Sequence, residues 1–320
     1  MTIKTSKPTG KPSWPITLLA GAEKTGKSWA AAQAAASPLI ARTYWLGIGE
    51  DRPDEYGLIA DFDIIEHDGS YREILRNVVE VAGETAVQGE TVLLVVDSMT
   101  RLWDLIKDNA QVKANARGIA SAKRFNKPAP DGDSPISMDL WNEAKGQWNH
   151  VMDAIRAHRG PVILTARLDT VTIMGDDGKP TKQKQEKVSA EKSLPFDVGA
   201  VIEMPVRGEA YITGVRSVKL QLPERLLVKD FTIDGLWRKL GLHEVEIGDR
   251  THDAPKVDVI EDAPVEGRDW IAEADAAKTS SEASRIGAAA AVTLGPDHDI
   301  VKAIRQIVAD KRGIVEETAA

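Results

Sequence analysis

Apolar runs alternate with amphipathic stretches along the first half of the chain, and this rhythm predicts strands interleaved with helices. Residues 14–20, 43–48 and 63–66 read as strands. Residues 27–36 are rich in alanine and free of Gly and Pro, which favours a helix. Residues 70–82 set Ile74, Leu75, Val78 and Val79 at helical spacing, with Ser70 placed to cap them. Residues 92–96 and 161–165 are apolar runs of the kind found in parallel strands buried on both faces. Residues 103–122 and 140–158 read as helices on either side of a loop, 127–137, rich in Pro, Gly and Asp.

Beyond residue 165 the pattern shortens. Residues 170–174, 198–204 and 211–220 read as strands, and Asp176-Asp177-Gly178 as a hairpin turn. The fold class expected is therefore α/β, a doubly wound and mostly parallel sheet with antiparallel edge strands. Residues 1–13 are polar, carry Lys4, Lys7 and Lys11 without an apolar core, and read as a flexible arm. Residues 14–243 form the expected core and 244–267 an acidic linker without periodicity. Residues 268–320 form a small helical tail; for the linker and tail together, binding of a partner protein or competition for basic loops elsewhere in the chain is weighed against a purely solubilising role.

Composition narrows the chemistry. The chain lacks cysteine, which excludes disulfides and thiolate metal sites and suits a reducing compartment. No apolar run is long enough to cross a bilayer, so a cytoplasmic protein without a membrane partner is expected. The six His show no metal spacing. A net charge of −8 argues against a protein that coats duplex DNA, although a local basic groove remains compatible with it. The eight Trp are scattered and are expected mainly in the core.

Residues 21–28 read Gly-Ala-Glu-Lys-Thr-Gly-Lys-Ser, a complete G-x-x-x-x-G-K-[ST] pattern between an apolar strand and a helix. Gly21 and Gly26 let the backbone wrap a phosphate closely. The amides of Ala22, Glu23, Lys24, Thr25 and Gly26, with the following helix N-terminus, point toward an anion. Lys27 reaches the β- and γ-phosphates, and the Ser28 hydroxyl suits Mg²⁺. Asp97 follows the run 92–96, the position of a carboxylate that holds Mg²⁺ beside such a loop. Ser98 stands where some ATPases carry a water-activating Glu, so Glu50, at the end of the strand 43–49, is the expected catalytic base, with Asp51 as alternate. Thr165 and Arg167 are candidates to sense the γ-phosphate. The predicted cofactors are ATP and Mg²⁺.

The order of phosphate loop, strand ending in Glu, apolar run with Asp-Ser and apolar run with Thr-x-Arg resembles the RecA-like ATPase core. The stretches Val92-Leu-Leu-Val-Val-Asp-Ser98 and Glu191-Lys-Ser-Leu-Pro-Phe-Asp197 resemble the phage-encoded, RecA-like single-strand-annealing ATPases of the Sak group. The resemblance implies a RecA-type fold, ATP with Mg²⁺, self-assembly, single-stranded DNA as partner and, if phage-encoded, a location in the host cytoplasm. A single-strand-binding protein is a further candidate partner. Ala166 and Arg167 stand where RecA has a phosphate-sensing Gln, and no separate DNA-pairing domain is evident.

Two basic segments are candidates for DNA contact. One, read as a loop, holds Lys113, Arg117, Lys123, Arg124 and Lys127 around Phe125. The other holds Lys179, Lys182, Lys184, Lys187 and Lys192. Cations beside an aromatic suit a single strand, whose phosphates and bases are both available. Arg216 and Lys219, on the expected strand 211–220, are candidates to reach the nucleotide of a neighbouring copy. These observations favour a DNA-dependent ATPase of phage-type recombination or annealing. A motor or loader of replicative-helicase type, and a nucleotide-gated protein scaffold, are the alternatives.

Overall fold

The computed structural model describes residues 3, 5–88, 90–174, 179–222, 224–255, 269–295 and 298–317. The chain divides into two compact units, residues 1–254 and 255–320.

Unit one is built on a sheet of nine strands: β1 (Ile16–Gly21), β2 (Arg42–Gly47), β3 (Asp63–Ile64), β4 (Val92–Asp97), β5 (Val162–Met174), β6 (Pro180–Ser189), β7 (Ala200–Met204), β8 (Ala210–Val215) and β9 (Leu226–Val228). Their order is β3-β2-β4-β5-β1-β7-β8-β9, with β6 on the outer part of β5. The six strands from β3 to β7 in that order run parallel, and β6, β8 and β9 are antiparallel. The expected fold class is the one observed.

The apolar runs divide their side chains between two cores, because alternate residues of a strand face opposite ways. Leu18, Leu46, Leu94, Val96 and Leu164 join one core. It is closed by α2 (Tyr71–Gln88), α3 (Met99–Arg124) and α4 (Met138–Ala157) through Ile74, Leu102, Ile106, Trp148 and Ile155. Leu19, Trp45, Leu93, Val95 and Ile163 join the other, which is closed by the alanines of α1 (Lys27–Ala35) and by Leu236 and Trp237 of α6 (Ile233–Lys239). Two-sided cover explains why these strands carry no polar face. Helix starts follow capping chemistry: the Ser70 hydroxyl accepts from the Glu73 amide and the Ser98 hydroxyl from the Arg101 amide.

Several expectations change. Residues 161–165 and 170–174 belong to one strand, β5, because Ala166–Asp169 stay extended while their partner passes from β1 to β6. The second basic segment is largely β6, so β5 and β6 form a two-stranded arm whose outer part is exposed. The turn residues 176–178 lie outside the described residues. The expected strand 211–220 ends at Val215, and β9, α6 and the one-turn α5 (Leu194–Asp197) are additions. Of the eight Trp, Trp14, Trp45, Trp148, Trp237 and Trp270 are buried, whereas Trp29 is 52% exposed.

Residues 244–254 belong to unit one. Gly248 donates its amide to the Pro12 carbonyl at 2.8 Å, and His252 meets Asp153 at 2.8 Å. Arg250 donates to the carbonyls of His158 and Gly160. Unit two contains α7 (Trp270–Ala276), α8 (Ser280–Leu294) and α9 (Asp299–Glu317), which pack around Trp270, Ala274, Ala290, Val301 and Ile304. Asp269 and Thr279 cap α7 and α8. Among the described residues no helix is long and apolar enough to cross a membrane.

Candidate functional site

Strand register brings the motif residues together. Pairing of β1 with β5 sets Leu19 beside Thr165 and Gly21 beside Arg167, and pairing of β2 with β4 sets Gly47 beside Asp97. The C-terminal edge of the parallel sheet therefore carries the loop 21–28, Asp97, Thr165, Arg167 and the turn with Glu50. Crevices outside this edge are where open α/β sheets bind ligands.

The loop is shaped by what its glycines permit. A Cβ on Gly21 would stand 2.6 Å from Thr25 Oγ1 and 2.8 Å from the Met204 carbonyl oxygen, so no larger residue fits. Gly26 has φ of +103°, in the left-handed region that L side chains rarely adopt. The Ala22 amide donates to the Met204 carbonyl at 3.2 Å, and the Thr25 hydroxyl to the Ala22 carbonyl at 3.1 Å. Gly26 gives α1 no side-chain cap, which keeps the helix N-terminus receptive to an anion.

Lys27 Nζ donates to the carbonyls of Gly21 at 3.0 Å and Ala22 at 2.7 Å. Burial lowers its pKa from the ordinary lysine value, while the Asp97 and Glu50 carboxylates oppose that shift. An entering phosphate offers this ammonium a full negative charge in place of two neutral carbonyls.

Asp97 is buried and held at both oxygens. Ser28 Oγ donates to Oδ2 at 2.7 Å, and the Thr165 hydroxyl donates to Oδ1. A hydroxyl and a carboxylate at this spacing form a hard-oxygen donor pair that fits Mg²⁺. Glu50 stands across the edge, where its Oε1 accepts from Ser98 Oγ at 3.1 Å and from Arg167 Nη2 at 2.8 Å, with Arg101 Nε at 4.0 Å. The Arg167 amide donates to Thr100 Oγ1 at 2.9 Å. Arg167 is thus fixed by its backbone to α3 and by its side chain to Glu50. Asp51 is exposed.

Tyr56 is an addition that sequence reading did not anticipate. It lies in a short 3₁₀ turn, Asp54–Leu58, with its ring 5.9 Å from Trp45 and 6.4 Å from Trp29. Its phenol pKa is raised, by burial first and then by the Asp97 and Glu55 carboxylates, with Ser28 acting in the opposite direction. The signal that could have drawn attention to it is an aromatic between acidic residues shortly after Glu50.

The other candidates lie elsewhere. Lys113, Arg117, Lys123 and Arg124 stand on α3, so this set is a helix face continued by Lys127 and not a loop. Lys113 pairs with Glu143 and Arg117 with Asp139 across to α4. The Ser137 hydroxyl and Arg117 lower the Asp139 carboxyl to about 2. Lys182, Lys184 and Lys187 are exposed on β6, beyond the point where Arg167 pairs with Ser189. Arg216 and Lys219 follow β8 at the opposite edge of the sheet, where the Arg216 amide donates to the Gly199 carbonyl at 2.8 Å. Lys219 Nζ reaches Glu244 at 3.0 Å, so within one chain neither residue joins the phosphate loop. An open cavity of about 460 Å³ lies beside the 3₁₀ turn, lined by Asp54, Gly57, Ala60, Asp61, Phe62 and Ile64, and includes none of the phosphate-loop residues.

No protein-family profile matches the sequence, and no curated protein matches it. Solved structures to which the chain shows similarity include an ATPase from the type III secretion system of pathogenic bacteria, at 16% identity over 59% of this chain with a TM-score of 0.35. This chain spans 50% of that protein's length. The assembled secretion ATPase EscN of enteropathogenic E. coli is similar at 16% identity over 59% of this chain and 42% of its own, with a TM-score of 0.34. The RadB recombinase is similar at 16% identity over 68% of this chain and 87% of its own, with a TM-score of 0.37.

Proposed function

We propose that this chain is a RecA-like ATPase that binds and hydrolyses ATP with Mg²⁺ and acts on single-stranded DNA in phage-type recombination or annealing. The observation that carries the reading is the meeting of a complete phosphate loop with Asp97, Thr165, Glu50 and Arg167 on one sheet edge. In this reading the loop amides and Lys27 bind the β- and γ-phosphates. Ser28 and Asp97 hold Mg²⁺, which supplies charge neutralisation of the phosphate oxygens. Glu50 orients the attacking water and accepts its proton, as a carboxylate base does. Arg167 turns from Glu50 toward the γ-phosphate.

The route to DNA runs along β5. Arg167 sits where that strand leaves the core sheet and becomes the arm, so a change in its partner bears directly on the base of the arm. Lys182, Lys184 and Lys187 meet phosphates there, and the α3 cations near Phe125 form a second contact. Self-assembly brings Arg216 or Lys219 of one copy to the nucleotide of another.

Fluorescence anisotropy of a labelled single-stranded oligonucleotide, with and without Mg²⁺ and ATP, tests this reading. ATP-dependent binding by the wild type, lost in a Lys182→Ala, Lys184→Ala, Lys187→Ala variant, is the expected result. Equal and weak binding in all conditions contradicts the DNA assignment. It turns attention to a protein partner gated by nucleotide.

A further inference from the structure

Trp29 departs from every other tryptophan of the chain in its placement. It is the residue directly after Ser28, on the first turn of α1, and it is 52% exposed although indole is among the costliest side chains to leave in water. It also ends a connected series of rings. Phe62 lies 5.3 Å from the buried Trp45, Trp45 lies 5.9 Å from Tyr56, and Tyr56 lies 6.4 Å from Trp29. The Trp29 and Tyr56 rings stand at 82° to each other, an edge-on contact that fixes the indole without covering both its faces.

A nucleoside triphosphate whose phosphates occupy the loop brings its base to the surface around the loop, where Trp29, directly after Ser28, is exposed. We infer that Trp29, propped by Tyr56, is a stacking platform for the planar base of a nucleoside triphosphate whose phosphates sit in the loop 21–28. The inference rests on the nucleotide reading above and adds its base subsite. The ligand class is a heteroaromatic base, held by ring stacking and burial of apolar surface. Every base has a π-face, so the platform gives affinity with little choice among bases. Trp29 touches the ligand without taking part in phosphate chemistry.

The test separates base from phosphate. Binding of ATP and of inorganic tripolyphosphate, both with Mg²⁺, is measured by isothermal titration calorimetry for wild type, Trp29→Ala and Trp29→Phe. The wild type is expected to bind ATP more tightly than tripolyphosphate. Trp29→Ala is expected to weaken ATP about tenfold and leave tripolyphosphate unchanged, while Trp29→Phe keeps most of the ATP affinity. Circular dichroism and the retained tripolyphosphate affinity report that Trp29→Ala is folded. Equal loss of both ligands in Trp29→Ala, or no loss of either, overturns the platform while the phosphate site stands. A change in sedimentation with unchanged ATP affinity assigns Trp29 to contact between copies instead and also overturns it. Absence of binding of either ligand to the wild type overturns the nucleotide reading itself.

Discussion

The two ends of the parallel sheet use paired polar groups in opposite ways. At the C-terminal edge each polar group is held by partners that a ligand can replace. Lys27 rests on two neutral carbonyls, Ser28 and Thr165 donate to Asp97, and Arg167 rests on Glu50. At the opposite edge Arg250 fills the space under β4 and β5 with bonds to the His158 and Gly160 carbonyls, and His158 Nε2 meets the Val92 carbonyl at 2.8 Å. Burial lowers Arg250 to about 10 and His158 to about 4. These bonds hold main-chain carbonyls at the start of β4 and just before β5. The difference teaches that a paired polar group marks a site when a ligand can take its partner's place and a fastening when its partners are main-chain carbonyls inside the fold.

Substitutions at the two edges should therefore fail differently. Lys27→Ala is expected to reduce ATP turnover by about 10³-fold, about 4 kcal/mol of barrier, with the urea midpoint of unfolding nearly unchanged. A large fall in that midpoint would make Lys27 a fastening like Arg250. Arg250→Ala should give the reverse pattern. It leaves two carbonyls without their donor, costs about 3 kcal/mol of stability by urea denaturation, and spares turnover per folded molecule.

His158 sharpens the comparison through pH. Its folded pKa of about 4 lies below the ordinary 6.5, so the folded state binds fewer protons than the unfolded state between those values. Its contribution is whole above pH 6.5 and is lost as pH falls toward 4. The loss amounts to about 3 kcal/mol. Urea midpoints of wild type and His158→Gln across this range check it, and equal slopes for the two would contradict it.

The smallest effect is expected on the arm. Replacing Lys182, Lys184 and Lys187 by Ala should weaken single-stranded DNA about tenfold at moderate salt, and flatten the dependence of affinity on salt. Stability should not move, because these side chains are exposed on both faces of β6. An unchanged salt dependence would place the DNA contact on α3 instead.

How far the sequence could be read follows from the same physics. The runs 92–96 and 161–165 were legible because burial on both faces selects apolar residues at nearly every position, and the phosphate loop because each of its fixed positions has a steric or charge requirement. The strand β6 was not, because Lys182, Lys184, Gln185 and Lys187 face solvent and break any apolar alternation. Its extended form comes from pairing with β5, a tertiary cause. Helix α6 carried a signal that went unread, a Thr232 cap before Ile233, Leu236, Trp237 and Leu240 at helical spacing. The fastening by Arg250 left no trace in a segment that reads as an acidic linker. Which Trp stays exposed was equally invisible, because composition does not rank eight copies of one residue.

The measurement that bears most directly on the account is ATP hydrolysis with and without single-stranded DNA, for wild type and Lys27→Ala. The account predicts turnover that DNA stimulates in the wild type and that disappears in the variant under both conditions. Equal turnover in the two proteins, or none in the wild type with DNA and Mg²⁺ present, would contradict it.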